Sequence, residues 1–172
     1  MISIIGARGS ISSVDHFLKK LESLSVKEQM IVQVFDADVV CGKKHLKSAA
    51  LHALRAFKQK TQSTNSLAKE ILLYAAGERQ IKKAINKLGL KKNTKNIAFV
   101  FINMEPKKSS EMHRFIQAFL KEHNFQHDDK VLEGDYDTLK RFGITDTEIQ
   151  TVSQEKYGDL ILERVALVDI IK

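Results

Sequence analysis

Apolar residues recur along this chain at spacings near 3.6 and near 2, which separates predicted helices from predicted strands. The clearest helical pair lies in 65–90, NSLAKEILLYAAGERQIKKAINKLGL. Leu67, Ile71 and Tyr74 fall at i, i+4 and i+7, and Ile81, Ala84, Ile85 and Leu88 at i, i+3, i+4 and i+7, so each half presents one apolar face to a core. Gly77 between them suits the left-handed residue that closes a helix. It leaves the next helix's first N–H groups open to an anion, with Arg79 and Gln80 beside them. A turn that only joins two helices has the same pattern.

The helical period also predicts a helix capped by Ser12 or Ser13, with Val14, Phe17, Leu18, Leu21 and Leu24 inward. Another spans 43–58, with Leu46, Ala50, Ala53, Leu54 and Phe57 inward. A third follows Ser109 or Ser110, burying Met112, Phe115, Ile116, Phe119 and Leu120. Residues 135–142 predict a short helix ended by Gly143, and Thr145 with Glu148 forms a capping box for the next. Strands are predicted over 1–5, ended by Gly6 and Gly9, over 30–35, and over 96–103. The last is apolar almost throughout, as suits the middle of a covered sheet; Pro106 and the lysines beside it mark its exit.

The stretch 159–172, set off by Gly158, reads as a helix through about Leu167. Its Leu160, Ile161, Val165, Val168, Ile170 and Ile171 exceed what one face can bury. Such a terminus is either inserted into the core or docked on another protein.

A length of 172 residues suits one domain over 1–172, and 43% hydrophobic with 28% charged residues is ordinary globular composition. No apolar run approaches the roughly 20 residues of a membrane span, and no secretory leader pattern opens the chain, so the cytoplasm is the expected compartment. The lone Cys41 excludes an internal disulfide and a multi-cysteine zinc site.

Charge changes the picture more. Residues 1–42 hold 4 basic and 5 acidic side chains, 43–108 hold 16 and 3, and 109–172 hold 8 and 13. The middle segment therefore carries +13 of a net +7 chain. Lys44, Lys47, Arg55 and Lys58 form a basic stripe on one predicted helix, interrupted by Leu51, and Arg79, Lys83 and Lys87 a second. Such a segment is either a solvated lysine face or a surface for a polyanion, of which nucleic acid is the commonest. The polar loop between the stripes brings Lys60, Thr64 and Asn65.

Catalytic motifs are missing: no phosphate-binding loop, dinucleotide fingerprint, nucleophile elbow or His-Glu-x-x-His occurs. Asp36 and Asp38 could hold a cation but more often form turns. His45 and His52, and the cluster of His123, His127, Asp128 and Asp129, have spacings that favour structural or solvated roles over a metal.

Several spaced motifs then converge. Asp36-Ala-Asp-Val-Val-Cys-Gly42, His45-Leu46, Asn65-Ser-Leu67, Glu70-Ile-Leu-Leu-Tyr74, Gly77-Glu-Arg-Gln-Ile81 and Lys87-Leu-Gly-Leu90 resemble the kinase-associated small subunit of the KEOPS (EKC) complex, whose animal counterpart is the PRPK-binding protein. The resemblance is densest over 31–103, and the N-terminal residues and the acidic loop over 123–137 match nothing in it. It implies a single α+β domain with helices on a mixed, largely antiparallel sheet. It further implies a non-catalytic subunit without a cofactor or metal. That subunit binds the complex's small atypical kinase, which works as an ATPase, and supports its activity; other KEOPS subunits are reached indirectly. The machinery makes N6-threonylcarbamoyladenosine in tRNA, and the family is understood to hold the tRNA's 3′ CCA end.

On that basis Lys58, Lys60, Asn65, Arg79, Gln80, Lys83 and Lys87 are expected at RNA, and Leu160, Ile161, Val165 and Leu167 at the kinase. The alternative is a small metabolic enzyme or ligand-binding domain with its pocket at the Gly77 turn and Glu70 or Asp36 as acid or base.

Overall fold

A computed structural model describes residues 1–105 and 109–171; Pro106 and its lysines lie outside them. The sheet has four strands in the order β2-β3-β1-β4, where β1 is Ile2–Arg8, β2 Met30–Asp36, β3 Asn96–Asn103 and β4 Gln126–His127. Every pairing is antiparallel: β1 and β2 both run against β3, and β4 adds two residues beside β1. The continuous apolar run of β3 has the physical cause expected of it, since helices cover both faces of the sheet at its centre.

Side-chain alternation along β3 divides the interior in two. Ile97, Phe99 and Phe101 join Phe17, Leu21, Phe119 and Phe125 on one face, beneath α1 (Val14–Glu28) and α5 (Ser109–Glu122). Ala98, Val100 and Ile102 face the larger core. That core is roofed by α2 (Gly42–Gln59), α3 (Leu67–Ala76), α4 (Ile81–Leu88), α6 (Tyr136–Phe142), α7 (Asp146–Ile149) and α8 (Tyr157–Ile171). The architecture is α+β with helices on both faces of an antiparallel sheet.

Local signals act as read. Ser13 caps α1, Gly77 closes α3 at φ 64, Gly143 closes α6 at φ 103, and the Thr145–Glu148 capping box is made. Four expectations need correction. Leu18 stays 38% exposed instead of buried, and Ile85, expected on the core-facing side of α4, is 48% exposed. Gly6 does not end β1 but lies within it, because a Cβ there would meet the Asp128 carbonyl at 2.6 Å, and its N–H donates to Asp129 at 2.9 Å. Gly158 is likewise inside α8, which starts at Tyr157 and continues past Leu167 to Ile171.

Candidate nucleic-acid and partner surfaces

The helical pair α2 and α3 is joined by a polar loop that folds over one buried acid. Glu70 sits on the apolar face of α3 with no exposed surface, and its carboxylate accepts from the N–H groups of Ser63 and Thr64 and from the Thr64 hydroxyl at 3.0–3.1 Å. A buried carboxylate is tolerable only with such donors. The anchor fixes the segment from which Lys60 and Asn65 project into solvent.

Between the same helices lies His45, also without exposed surface. The Cys41 N–H donates to its Nδ1 at 3.1 Å, so the proton sits on Nε2 and is donated to the Ala75 carbonyl at 2.7 Å. Burial pushes its pKa down to about 4, against the pull of the Ala75 bond, so it is neutral and structural.

On α2 the exposed side is basic as read: Lys44, Lys47, Arg55 and Lys58 point outward with Leu51 among them. The second stripe is broken. Lys83 is exposed, but Lys87 turns back over the end of α3, donating to the Ala76 carbonyl at 2.9 Å, pairing with Glu78 at 2.7 Å and lying 4.6 Å above the Phe142 ring. Its charge serves the last turn of α3, where cations are favoured, and is not presented to solvent as Lys83 is. Spacing alone could not reveal this, because the direction of a lysine stem is set by what lies beside it.

The expected RNA set therefore falls into two groups. Lys58, Lys60 and Asn65 stand where α2 ends and α3 begins; Arg79, Gln80 and Lys83 stand beyond the other end of α3. Ten residues of helix separate them, about 15 Å at 1.5 Å per residue. Asn65 and Gln80 cannot both meet the same base.

Where α4 ends opens a polar cavity of about 380 Å³ that the sequence did not disclose. Asn86, Lys87, Lys91, Asn93, Thr94 and Arg141 line it, together with Asp36. Asp36 is 8% exposed; burial raises its pKa, opposed by the Asp38 N–H it accepts at 3.1 Å and by Lys91 at 3.7 Å. It caps the 3₁₀ turn Ala37–Val39 rather than standing as a solvated turn former.

At the Gly77 turn, α8 closes over the backbone: a Cβ on Gly77 would come within 3.2 Å of the Arg164 Cβ. With Glu70 enclosed and Asp36 holding a turn, the carboxylates considered as acid or base both have structural partners. Among the described residues no group of three or more His, Cys, Asp or Glu side chains is arranged to hold a metal, and His123 packs among the rings of Phe17, Phe119 and Phe125.

Helix α8 divides the four residues expected at the kinase. Ile161 and Val165, with Val168, have no exposed surface and belong to the larger core. As positioned they offer nothing to a partner. Leu160 and Leu167 are half-buried, and with Ile171 they line up at i, i+7 and i+11 beside the buried stripe; Ile170 is 78% exposed. Asp169 fixes this helix. It accepts from the Tyr74 hydroxyl and from Arg55 at 2.6 Å, and lies 2.9 Å from His52. Partial burial would raise its pKa, but these bonds hold it below the usual carboxylate value, and burial with the Asp169 contact pushes the Tyr74 hydroxyl upward. The sequence signal was faint: Asp169 stands among Val168, Ile170 and Ile171, but Asp159 and Glu163 are acids of the same helix and nothing in the pattern sets Asp169 apart.

Among the described residues no helix is long and apolar enough to cross a membrane. Residues 10–169 match the family described as kinase binding protein CGI-121. A comparison with curated proteins finds no match.

Proposed function

Since the chain belongs to the family of the kinase binding protein CGI-121, matched over residues 10–169, we propose that it is the kinase-associated, non-catalytic small subunit of a KEOPS-type assembly. In this reading it acts in the cytoplasm, binding the atypical kinase and the 3′ end of tRNA during threonylcarbamoyladenosine synthesis. The family match carries the kinase half. The exposed cations of the +13 segment support the RNA half, since unpaired lysines on one side of a protein are the electrostatic footprint of a polyanion partner.

The RNA surface consists of Lys58, Lys60 and Asn65 at one end and Arg79, Gln80 and Lys83 at the other, with Lys87 holding the corner behind them. Lysines supply sequence-blind phosphate contacts, and the amides of Asn65 and Gln80 read separate splayed bases. The kinase surface is the outward side of α8, through Leu160 and Leu167, continued by Ile170 and Ile171. Ile161 and Val165 support it from the core.

One experiment addresses both halves. The chain is mixed with the kinase and with either intact tRNA or tRNA trimmed of its last three nucleotides. The reading expects tighter binding of intact tRNA and loss of kinase capture in Leu167→Glu with an unchanged melting temperature. Equal binding of both RNAs removes the 3′-end assignment, and full kinase capture by Leu160→Glu and Leu167→Glu moves the interface away from α8.

A further inference from the structure

The free edge of β2 lies at the floor of a groove of about 390 Å³, walled by α1 on one side and by α3 and α4 on the other. Which backbone groups it offers follows from the register. Gly9 N–H donates to the Lys95 carbonyl and Asn103 N–H to the Met1 carbonyl, both at 3.0 Å, so odd-numbered residues of β3 bond toward β1. Even-numbered residues then bond toward β2, opposite Ile31, Gln33 and Phe35. Val32 and Val34 consequently turn their N–H and C=O groups to the groove, while their side chains enter the core under α1. The Gln33 side-chain amide already donates to the Val34 carbonyl at 3.1 Å, a local substitute for a donor from a neighbouring strand.

The sequence of β2, MIVQVFD, has none of the lysines or prolines that usually blunt an edge strand. The groove is rimmed by exposed apolar side chains: Leu18 at 38%, Val26 at 81% and Ile85 at 48%, with Leu72 and Ile81 deeper on the α3 and α4 wall. Single exposed apolar residues need no explanation, but three around one open strand edge make a docking surface.

We infer that this groove binds an extended segment of another protein, with apolar side chains at alternate positions, as a fifth strand beside β2. The backbone pattern selects the occupant. N–H and C=O groups facing the groove at every second residue, of which the Val34 carbonyl is held only by the Gln33 side chain, are complementary to a strand, whereas a helix has its own backbone groups satisfied. A second copy of this chain is disfavoured by shape: its β2 is recessed between its own helices, so two such edges cannot meet. The surface is separate from α8 and from the RNA residues of α2 and shares with the RNA surface only α4, whose Ile81 and Ile85 line the groove while Lys83 does not, so it stands or falls independently of the reading above.

The test uses the full chain as bait for a displayed library of ten-residue peptides, followed by synthesis of the most enriched sequence. The inference expects that peptide to alternate apolar and polar residues and to slow hydrogen exchange at the Val32 and Val34 amides. Affinity should fall roughly tenfold or more with Ile85→Glu or Val26→Glu, or when alternate peptide amides are N-methylated to remove backbone donors. Both substituted residues are exposed, and unchanged melting curves confirm that the variants fold. No enrichment, undiminished binding of the N-methylated peptide, exchange unchanged at Val32 and Val34, or self-association through β2 in place of peptide binding each overturns it.

Discussion

Along α2–α4, Lys44, Lys47, Lys58, Lys82 and Lys83 stand exposed, with no carboxylate partner among the described residues. In the stretch holding α6–α8 two of the four described cations are matched by carboxylates of the same stretch: Lys140 meets Asp146 at 3.0 Å and Arg164 meets Glu148. Glu148 is held down to about 2, first by the Thr145 N–H, then by the Thr145 hydroxyl and Arg164. Two regions made from the same residue types thus carry charge differently. Where cations are paired they position helices, and where they are unpaired their mutual repulsion favours a polyanion brought from outside. Lys87 and Arg55 mark the boundary, lying in the basic segment but turned to Glu78 and Asp169.

The comparison predicts that removing a built-in charge affects folding, whereas removing an unpaired one affects binding. The largest effect is expected from Glu70→Ala. It strands the donors of Ser63 and Thr64 and leaves a void, and should lower stability by about 3–4 kcal/mol in urea titration. Survival of the wild-type midpoint would show that the loop is held by other contacts.

Acid is expected to act next, through His45. Its folded pKa, about 4, lies below the ordinary 6.5, so between these values the unfolded chain takes up a proton that the fold refuses. The stability tied to neutral His45 is complete above about pH 6.5 and declines as pH falls toward 4, with about 2 kcal/mol lost by pH 5. Urea midpoints at pH 7.5 and 5 check this; equal values would contradict the neutral, buried imidazole.

Lys87→Met comes third. It keeps the stem over Phe142 but gives up the Ala76 carbonyl and Glu78, and should destabilise by about 1 kcal/mol. Because Lys87 is turned inward, this change should leave tRNA affinity nearly unaltered. A tenfold loss of tRNA binding in a folded Lys87→Met would return this residue to the RNA surface. Smallest in stability is Lys83→Glu, within about 0.5 kcal/mol of wild type as for other exposed sites.

Local rules carried most of the fold: the apolar period of α3, the helix α4 with Ala84 and Leu88 buried but Ile85 left exposed, Gly77 between them, the capping box at Thr145 and the apolar β3. What stayed hidden was tertiary. Nothing in i, i+4 spacing says that Lys87 folds back onto Ala76, or that Gly6 must be bare because the Asp128 carbonyl approaches it. The end of α8 was misplaced because Asp169, tied to Tyr74 and Arg55, holds helical a stretch whose apolar residues suit a strand equally well. For the candidate site, the residue types and the two helices were legible. Their division into two groups across α3, the burial of Ile161 and Val165, and the cavity near Asp36 were not, since each depends on how helices cross.

The central claim, that the unpaired cations of α2–α4 exist for RNA, is tested most directly by tRNA affinity across a salt series. The proteins compared are the wild-type chain and Lys58→Glu/Lys83→Glu. Each lost phosphate contact removes about 0.7–0.9 from the slope of log K against log salt, so the double variant should bind more weakly with a slope shallower by about 1.5, at an unchanged melting temperature. Parallel salt dependences at equal affinity would contradict the account.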